Sequence, residues 1–458
     1  MASRNNRATE DIVDAQNREI HDRLSTKASY LKSLAFDMES EAKDHHKLLN
    51  GLDDDFDSTG GFLGGTMNRV KYMMASNKSN RKLMLYVSLG VVFSLFFLAM
   101  SSSPEVTFKV VKDAGIITLN RPKVLNALTF PMIRLIYPQL KQWQDQLKMV
   151  IIEGSGEKAF CAGGDIRAIT SIRGSEDQTA FFKEEYVLNN LIGSFKIPYI
   201  ALIDGITMGG GVGLSVHGKY RIASERTMFA MPETGIGLIP DVGGGYFLPR
   251  LPGELGMYLA LMGHRLKGAD CVHAGVATHG CESGQFPQLK EDLLNVKDTQ
   301  EINAILEKYS KAFMSQQTAF SLESKLDAIN ECFSSREGVL DIVKRLEAFQ
   351  SDPEWAQKEL KTLGRLSPTS LAVTFRQMRT GGKLKTLGEV LEMEYRLVCR
   401  CCEDHDFYEG VRALLVDKDN APQWQPKSIS EVTTERVDHY FSPLGGKRDL
   451  KLGPTPKM

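Results

Sequence analysis

The amino-acid sequence predicts an α/β fold of repeated ββα units with a helical C-terminal region, preceded by a coiled-coil helix and one transmembrane helix. Three observations predict it: short apolar strands alternating with helices, a long strand-free helical stretch, and a heptad pattern followed by an uncharged run near the start. The predicted parts are a coiled-coil region at residues 1–82, a transmembrane helix at 83–100, a junction at 101–104, an α/β core at 105–300 and a helical region at 301–458.

Composition places the chain among globular proteins and excludes some partners. With 458 residues, 42% hydrophobic and 25% charged, the chain is long enough for two or more domains and too apolar for disorder over most of its length. Lysine and arginine total 56 against 57 acidic residues, so no net field attracts nucleic acid and no nucleic-acid partner is expected. The seven cysteines are an odd number, which favours free thiols over a disulfide framework.

A heptad pattern runs through the first part of the chain. From Leu24 to Met73, mostly apolar residues recur at alternating steps of four and three, the roughly 3.5-residue period of a helix that supercoils with partners. The alternative is an amphipathic helix packed on its own domain, but no adjoining apolar core is predicted. Glycine pairs at 60–61 and 64–65 weaken an isolated helix, so residues 24–73 are expected to order on partner helices.

An uncharged run follows this heptad region. Residues 83–100 contain no charged side chain, and at about 1.5 Å per residue they span about 27 Å, close to the hydrocarbon thickness of a bilayer. The alternative, a buried core helix, is disfavoured because few polar residues interrupt the run. The run therefore predicts a membrane anchor, and Arg81 and Lys82 would keep the preceding residues on the cytoplasmic side.

Residues 10–100 resemble the small tail-anchored Qc-SNAREs of ER–Golgi traffic. The segment Leu-Lys-Ser-Leu at 31–34 and the run Phe-Asp-Ser-Thr-Gly-Gly-Phe-Leu-Gly at 56–64 carry the resemblance. That family has a glutamine in the central polar layer of its helix bundle, where this sequence places His45. The resemblance implies that SNARE helices are the partners of the heptad region and that its membrane belongs to the ER or Golgi.

Strands and helices alternate through the predicted core, and helical spacing dominates after it. The predicted strands are 106–112, 115–120, 149–153 and 199–203, and the predicted helices are 130–147, 176–194 and a segment that begins at the glycine cluster around Gly209. From about residue 301 the spacing is helical, notably up to Leu346 and over 366–379 and 387–402.

Two glycine-bearing turns, 159–165 and 205–213, each follow a predicted strand and open a helix. Small residues let a ligand approach the backbone, and a helix start leaves N–H groups unpaired. Two such groups aimed at one point would stabilise negative charge on a carbonyl oxygen. The alternative is a structural role for either turn. Neither turn has the spacing of a P-loop or of a Gly-x-Gly-x-x-Gly dinucleotide motif, which argues against those phosphate sites.

The two turns resemble those of the enoyl-CoA hydratase/isomerase (crotonase) superfamily, and the resemblance extends over residues 105–452. Within the superfamily, the sequence resembles the 3-hydroxyisobutyryl-CoA hydrolases of valine breakdown. The motifs that carry the resemblance are Asn-Arg-Pro at 120–122, Asn-Ala-Leu at 126–128, Phe-Cys-Ala-Gly-Gly-Asp at 160–165, Met-Gly-Gly-Gly-Val-Gly at 208–213, Met-Pro-Glu-Thr-Gly-Ile-Gly at 231–237 and Pro-Asp-Val-Gly-Gly at 240–244.

The resemblance implies an oxyanion hole and a changed set of carboxylates. The oxyanion donors would be the backbone N–H groups of Ala162 and Gly210, holding the carbonyl oxygen of an acyl-CoA thioester. Hydratases position water with two glutamates; here the place of the first is Gly213, whereas the second is kept as Glu233. Loss of one glutamate disfavours hydration.

The remaining implied residues are acids. Asp241, eight residues after Glu233, supplies a carboxylate as in the hydrolases, and Glu185 is implied to bind the acyl hydroxyl. Glu233 would attack the thioester carbon or activate water, with Asp241 moving protons. The substrate-binding residues are then Glu185, Gly210, Glu233 and Asp241, and no cofactor is implied because CoA is part of the substrate.

Other chemistries are less well supported. Cys399, Cys401, Cys402 and His405 lie close in sequence, but the Cys-x-Cys-Cys spacing is not that of a zinc site, so no metal is expected. No Gly-x-Ser-x-Gly turn supports a serine triad. The alternative function is a membrane-trafficking Qc-SNARE with an incidental or artefactually joined enzyme domain. The location is correspondingly split: the hydrolase family implies the mitochondrial matrix, and the SNARE resemblance implies an ER or Golgi membrane.

Overall fold

The computed structural model describes residues 104–316, 319–445 and 448–452, which belong to one compact unit, Ser103–Met458. The predicted coiled coil at 24–73 and transmembrane helix at 83–100 lie outside the described residues. Among the residues that are described, no helix is long and apolar enough to cross a bilayer.

In the described part of the chain, ten strands form two sheets. The strands are β1 Val106–Val111, β2 Ala114–Leu119, β3 Met149–Gly154, β4 Ala159–Cys161, β5 Tyr199–Ile203, β6 Ile206–Met208, β7 Tyr220–Ala223, β8 Met228–Ala230, β9 Leu266–Lys267 and β10 His279–Gly280. The larger sheet has the order β1-β2-β3-β5-β7-β10, and the smaller has the order β4-β6-β8-β9. Strands β1 and β2 pair antiparallel, whereas β2, β3, β5, β7 and β10 are parallel.

Strand β3 shows how the larger sheet is buried on both faces. Val150 and Ile152 belong to one apolar cluster, while Met149 and Ile151 belong to another, because side chains alternate across a strand. All four are buried, as expected for a parallel strand covered by helices on both sides.

The predicted α/β core of ββα units is confirmed. Each pair β3–β4, β5–β6 and β7–β8 contributes one strand to the larger sheet and one to the smaller. The helices of this part are α1 Phe130–Trp143, α2 Ile166–Ser171, α3 Glu176–Gly193, α4 Gly210–Gly213, α5 Gly244–Phe247, α6 Leu255–Met262, α7 Asp270–His273 and α8 Phe286–Leu294. The helix expected after Gly209 is a single turn, since consecutive glycines have poor helix propensity.

The C-terminal region is helical, as predicted. After β10 no strand occurs in the part of the chain that is described. Its helices are α9 Glu301–Met314, α10 Leu326–Phe333, α11 Val339–Ala348, α12 Pro353–Leu363, α13 Pro368–Gly381, α14 Leu387–Glu403, α15 His405–Val411 and α16 Thr434–Phe441. Helices α13 and α14 bring polar side chains to the loops that follow the smaller sheet.

Candidate active site

Three loops meet because three short strands of the smaller sheet are parallel neighbours. Strand β6 pairs in parallel with β4 on one side and with β8 on the other, so their carboxyl ends lie at one edge. The first glycine-bearing turn follows β4 and the second follows β6. The loop that carries Glu233 follows β8. Parallel pairing thus brings together three segments that are far apart in the sequence.

The expectation for Ala162 as an oxyanion donor is wrong. Its amide N–H already donates to the carbonyl oxygen of Leu125, with a nitrogen–oxygen distance of 3.0 Å. Because this N–H is already paired within the protein, it is not free to donate to a ligand in the site. The neighbouring amide of Gly164 is the one that lies against Gly210.

Gly210 and Gly164 form a close backbone approach. A Cβ built on Gly210 would lie 3.3 Å from the Gly164 nitrogen and 2.6 Å from Oε1 of Glu185. Within the described residues, neither the Gly164 nor the Gly210 amide donates a hydrogen bond. Gly209, directly before, has φ of 45°, a conformation that favours glycine. The two turns therefore leave two backbone N–H groups, without a partner among the described residues, beside the carboxyl group of Glu185.

Glu185 reaches this point from helix α3. Its side chain is 2% exposed, and Oε1 has no hydrogen-bond partner among the described residues. Burial raises the pKa of Glu185 well above its usual value, and the nearby Asp241 charge raises it further. An unpaired buried carboxyl oxygen is costly, so this side chain is arranged to meet a ligand.

Glu233 begins a 3₁₀ turn, Glu233–Ile236, after β8. A Cβ built on Gly209 would lie 3.3 Å from its Oε1, and its Oε2 has no partner among the described residues. The residue is 5% exposed. Burial raises the pKa of Glu233 well above its usual value, and the charge of Asp241 acts in the same direction. Glu233 and Glu185 therefore approach the same glycine-bearing turn, residues 205–213, from different elements; it is called the glycine turn below.

Asp241 accepts a hydrogen bond from a tyrosine that the sequence analysis did not assign. The Tyr186 hydroxyl donates to its Oδ2 at 2.7 Å. Burial raises the pKa of Asp241 to about 6, and the Tyr186 hydrogen bond opposes that rise. Tyr186 adjoins Glu185 on α3, so one helix supplies both side chains. The sequence signal for Tyr186 is its place directly after Glu185, at the end of the aromatic and acidic stretch Phe-Phe-Lys-Glu-Glu-Tyr at 181–186.

The loop that carries Asp241 is held from the helical region by Glu394 on α14. Its carboxyl oxygens accept the backbone N–H groups of Gly243 and Gly245, each at 2.7 Å. Gln377 on α13 donates to Oε1 of Glu394 at 2.9 Å and to the Pro240 carbonyl at 2.7 Å. Burial raises the pKa of Glu394 to about 8, against the effect of its two backbone donors.

The same loop contains backbone strain. Val242, directly after Asp241, has φ of 51°, a conformation that costs energy for a β-branched residue. The hydrogen bonds that Glu394 accepts and that Gln377 donates are buried, and they hold the chain on both sides of the strained residue. Sequence reasoning missed Glu394 because about 150 residues separate it from the loop.

Gly213, where hydratases would have their first glutamate, is packed against Asn189. A Cβ built on Gly213 would lie 2.7 Å from Nδ2 of Asn189 and 2.8 Å from Cβ of Val242. No side chain larger than hydrogen fits at position 213 without a shift. The space beside it is filled by an amide from α3, which sequence reasoning did not single out.

The cysteines take no part in a metal site within the described residues. All seven are free and buried, and no group of three or more histidine, cysteine or acidic side chains is arranged to hold a metal ion there. Burial raises the pKa of the Cys161 thiol to about 12; this residue lies in the first glycine-bearing turn, 159–165, called the oxyanion turn below. A thiol with that pKa is protonated at neutral pH and is not a nucleophile.

Comparisons with known proteins agree with this geometry. A family model described as enoyl-CoA hydratase/isomerase matches residues 114–441. The mitochondrial 3-hydroxyisobutyryl-CoA hydrolase of Xenopus tropicalis is 56% identical over 346 residues, which cover 74% of this chain and 89% of that protein. The human protein of the same name is 51% identical over 369 residues, covering 78% of this chain and 94% of that protein.

Solved structures give the same result. A carnitinyl-CoA dehydratase from Mycobacterium thermoresistibile has a TM-score of 0.70 and 35% identity, covering 77% of this chain and 99% of that one. An enoyl-CoA hydratase from Rhodobacter sphaeroides 2.4.1 has a TM-score of 0.67 and 35% identity, covering 76% of this chain and all of that one. The chain belongs to the enoyl-CoA hydratase/isomerase family.

Proposed function

We propose that this protein hydrolyses the thioester of 3-hydroxyisobutyryl-CoA to 3-hydroxyisobutyrate and CoA. The relatives named for this reaction and more than half identical to the chain support the substrate. The observation that carries the reaction type is the placement of buried Glu233 against the glycine turn, while the space beside Gly213, where hydratases have their other glutamate, is filled by Asn189. The reaction needs no cofactor, since CoA is part of the substrate.

The proposed mechanism uses two backbone amides and two acids. The thioester oxygen accepts the N–H groups of Gly164 and Gly210, which stabilise the negative charge that develops on it. The Glu233–Asp241 pair holds one proton, which moves to Asp241 as an oxygen of Glu233 attacks the carbonyl carbon. The carbon–sulfur bond then breaks to give a mixed anhydride and CoA thiolate, which takes that proton from Asp241. Water then attacks the acyl carbon of the anhydride and gives one proton to ionised Asp241, so that the acid is released and Glu233 leaves as a carboxylate. In the alternative route, Glu233 removes a proton from water that attacks the carbon directly.

A surface cavity beside the oxyanion turn supports binding of the nucleotide end of CoA. Its volume is about 450 Å³, and its lining includes Lys123, Leu125, Lys158 and Ala159. Leu125 also accepts the Ala162 amide, so this cavity adjoins the oxyanion turn. Lys123 and Lys158 would pair with phosphate groups, with Glu157 as a negative neighbour.

The reaction type is tested with the full chain and two substrates. Release of free CoA thiol from 3-hydroxyisobutyryl-CoA is compared with addition of water to the corresponding unsaturated ester, methacrylyl-CoA. We expect thiol release without measurable water addition. Water addition that outpaces thiol release would contradict the proposal and favour a hydratase.

A second proposal concerns the residues outside the described part. The uncharged run at 83–100 favours a membrane anchor, and the heptad pattern at 24–73 favours pairing with SNARE helices. The names of the relatives support a mitochondrial location, whereas the SNARE resemblance favours the ER or Golgi. Cell fractionation and alkaline extraction decide between them. Full chain that stays in the membrane pellet, compared with release of residues 104–458 alone, supports the anchor, and release of both contradicts it.

A further inference from the structure

Asn189 on α3 is a buried amide without a partner. It is 0% exposed, and neither Nδ2 nor Oδ1 has a hydrogen-bond partner among the described residues. Each unpaired polar atom in such a place destabilises the folded protein, so both atoms are arranged for a group that arrives later. The mechanism above does not use this side chain.

Two helices, α3 and α4, set the position of Asn189 relative to the Gly210 amide. Asn189 lies one helical turn after Glu185, and residues four apart share a face at about 5–6 Å between Cβ atoms. On α4, Gly210 and Gly213 are also one turn apart. The Gly210 Cβ position meets Glu185 and the Gly213 Cβ position meets Asn189, so the two helices face each other in register.

Because the two helices face each other in this way, Asn189 lies near the part of the acyl chain that follows the carbonyl group. If a thioester oxygen lies at Gly210 and the acyl chain runs toward Gly213, two carbon–carbon bonds of about 1.5 Å place the third carbon roughly 2.5 Å from the carbonyl carbon. A hydroxyl on that carbon then lies roughly 4–5 Å from the thioester oxygen, close to the rise of one helical turn. A hydroxyl group there can accept a hydrogen bond from Nδ2 and donate one to Oδ1, which matches both unpaired amide atoms. An acyl chain without that hydroxyl would leave the amide buried and unpaired.

We propose that the Asn189 side-chain amide, rather than Glu185, binds the hydroxyl on the third carbon of the acyl group and so selects 3-hydroxyacyl-CoA esters over unsubstituted ones, because Glu185 lies at Gly210 and Asn189 at Gly213. This inference rests on the proposed hydrolase function. It makes Asn189 a determinant of specificity: discrimination follows from leaving the amide unpaired when the hydroxyl is absent.

The test compares two esters that differ by one hydroxyl, 3-hydroxyisobutyryl-CoA and isobutyryl-CoA, in the full chain and in Asn189→Leu. Leucine has nearly the same size and removes both polar atoms. The matched control is Asn190→Leu, the same substitution at the next residue of α3, which faces away by about a quarter turn. Thiol release gives kcat/KM for each ester, and thermal unfolding checks the fold.

We expect wild-type protein to prefer the hydroxylated ester, and Asn189→Leu to reduce that preference by about 10- to 100-fold while isobutyryl-CoA hydrolysis stays within about threefold. Asn190→Leu should keep the preference. The unfolding temperature of Asn189→Leu should not fall, because an unpaired amide is replaced by an apolar group. An equal loss for both esters, or an unchanged preference, would overturn the inference.

The wild-type measurement keeps the inference testable if Asn189→Leu does not fold. A wild-type protein that hydrolyses both esters equally overturns the Asn189 inference but leaves the hydrolase function intact. A wild-type protein that hydrolyses neither ester overturns the proposed function itself.

Discussion

Replacing Glu394 by glutamine should impair catalysis although Glu394 lies outside the glycine turn. Oε2 accepts the Gly243 N–H and Oε1 accepts the Gly245 N–H, so a glutamine amide in either orientation faces one backbone donor with its own N–H₂ group. One buried N–H is then unpaired, which costs about 1–3 kcal/mol. The unfolding temperature should fall by a few degrees.

The catalytic effect follows from the position of Asp241. The weakened loop contains Val242 in a strained conformation, and relief of that strain would move the neighbouring Asp241. A displacement of about 1 Å can reduce a rate about 100-fold, so we expect kcat to fall by about 10- to 100-fold with KM changed by less than about threefold. Steady-state thiol release from 3-hydroxyisobutyryl-CoA measures both constants.

The matched control is Glu392→Gln on the same helix. Glu392 accepts a single backbone N–H, from Leu452 at 2.8 Å, which a glutamine oxygen can also accept. This variant should behave like wild type. If Glu394→Gln loses stability as expected but keeps the wild-type kcat, Glu394 holds the loop without positioning Asp241, and the reasoning is refuted.

Three further predictions concern the site itself. Gly210→Ala should lower kcat by about 100- to 1000-fold, because its Cβ would lie 3.3 Å from the Gly164 nitrogen and 2.6 Å from Glu185 Oε1 and would keep the thioester oxygen from the two amides. Gly284→Ala, with nothing within 4 Å, should be silent, and equal rates for the two variants would contradict the placement of the thioester oxygen at Gly210. Tyr186→Phe removes the hydrogen bond that lowers the Asp241 pKa, so the limb of the pH–rate profile that reports Asp241 should move to higher pH; a fixed limb would contradict this. Lys123→Glu with Lys158→Glu should raise KM for the CoA ester about tenfold or more but leave hydrolysis of an N-acetylcysteamine thioester, which lacks the nucleotide, unchanged; a parallel loss for both would exclude the phosphate role.

Local patterns predicted much of the fold. Apolar strands such as Tyr199–Ile203 have the predicted bounds, because they are short, fully buried and flanked by polar turns. The helix expected after Gly209 was overestimated, since the glycines that bend the turn also limit the helix to one turn. Pairing between the strands of the smaller sheet could not be read from the sequence, because each has only two or three residues.

Site residues were predictable from the sequence only where a short motif contains them. Glu185, Glu233 and Asp241 were named from their motifs, and the structure brings the first two to the glycine turn. The choice of Ala162 failed because the direction of an amide depends on the bond to Leu125, which sequence spacing does not reveal. Glu394 and Asn189 were missed since their roles arise from packing between helices.

The most direct test of the central claim is CoA thiol release from 3-hydroxyisobutyryl-CoA by the full chain and by Glu233→Gln, with binding of the same ester measured separately. The account predicts that Glu233→Gln loses at least about 1000-fold in kcat and binds the ester within a few-fold of wild type, because the substitution removes the attacking or proton-accepting oxygen and leaves the Gly164 and Gly210 amides in place. Hydrolysis at close to the wild-type rate by Glu233→Gln would contradict it.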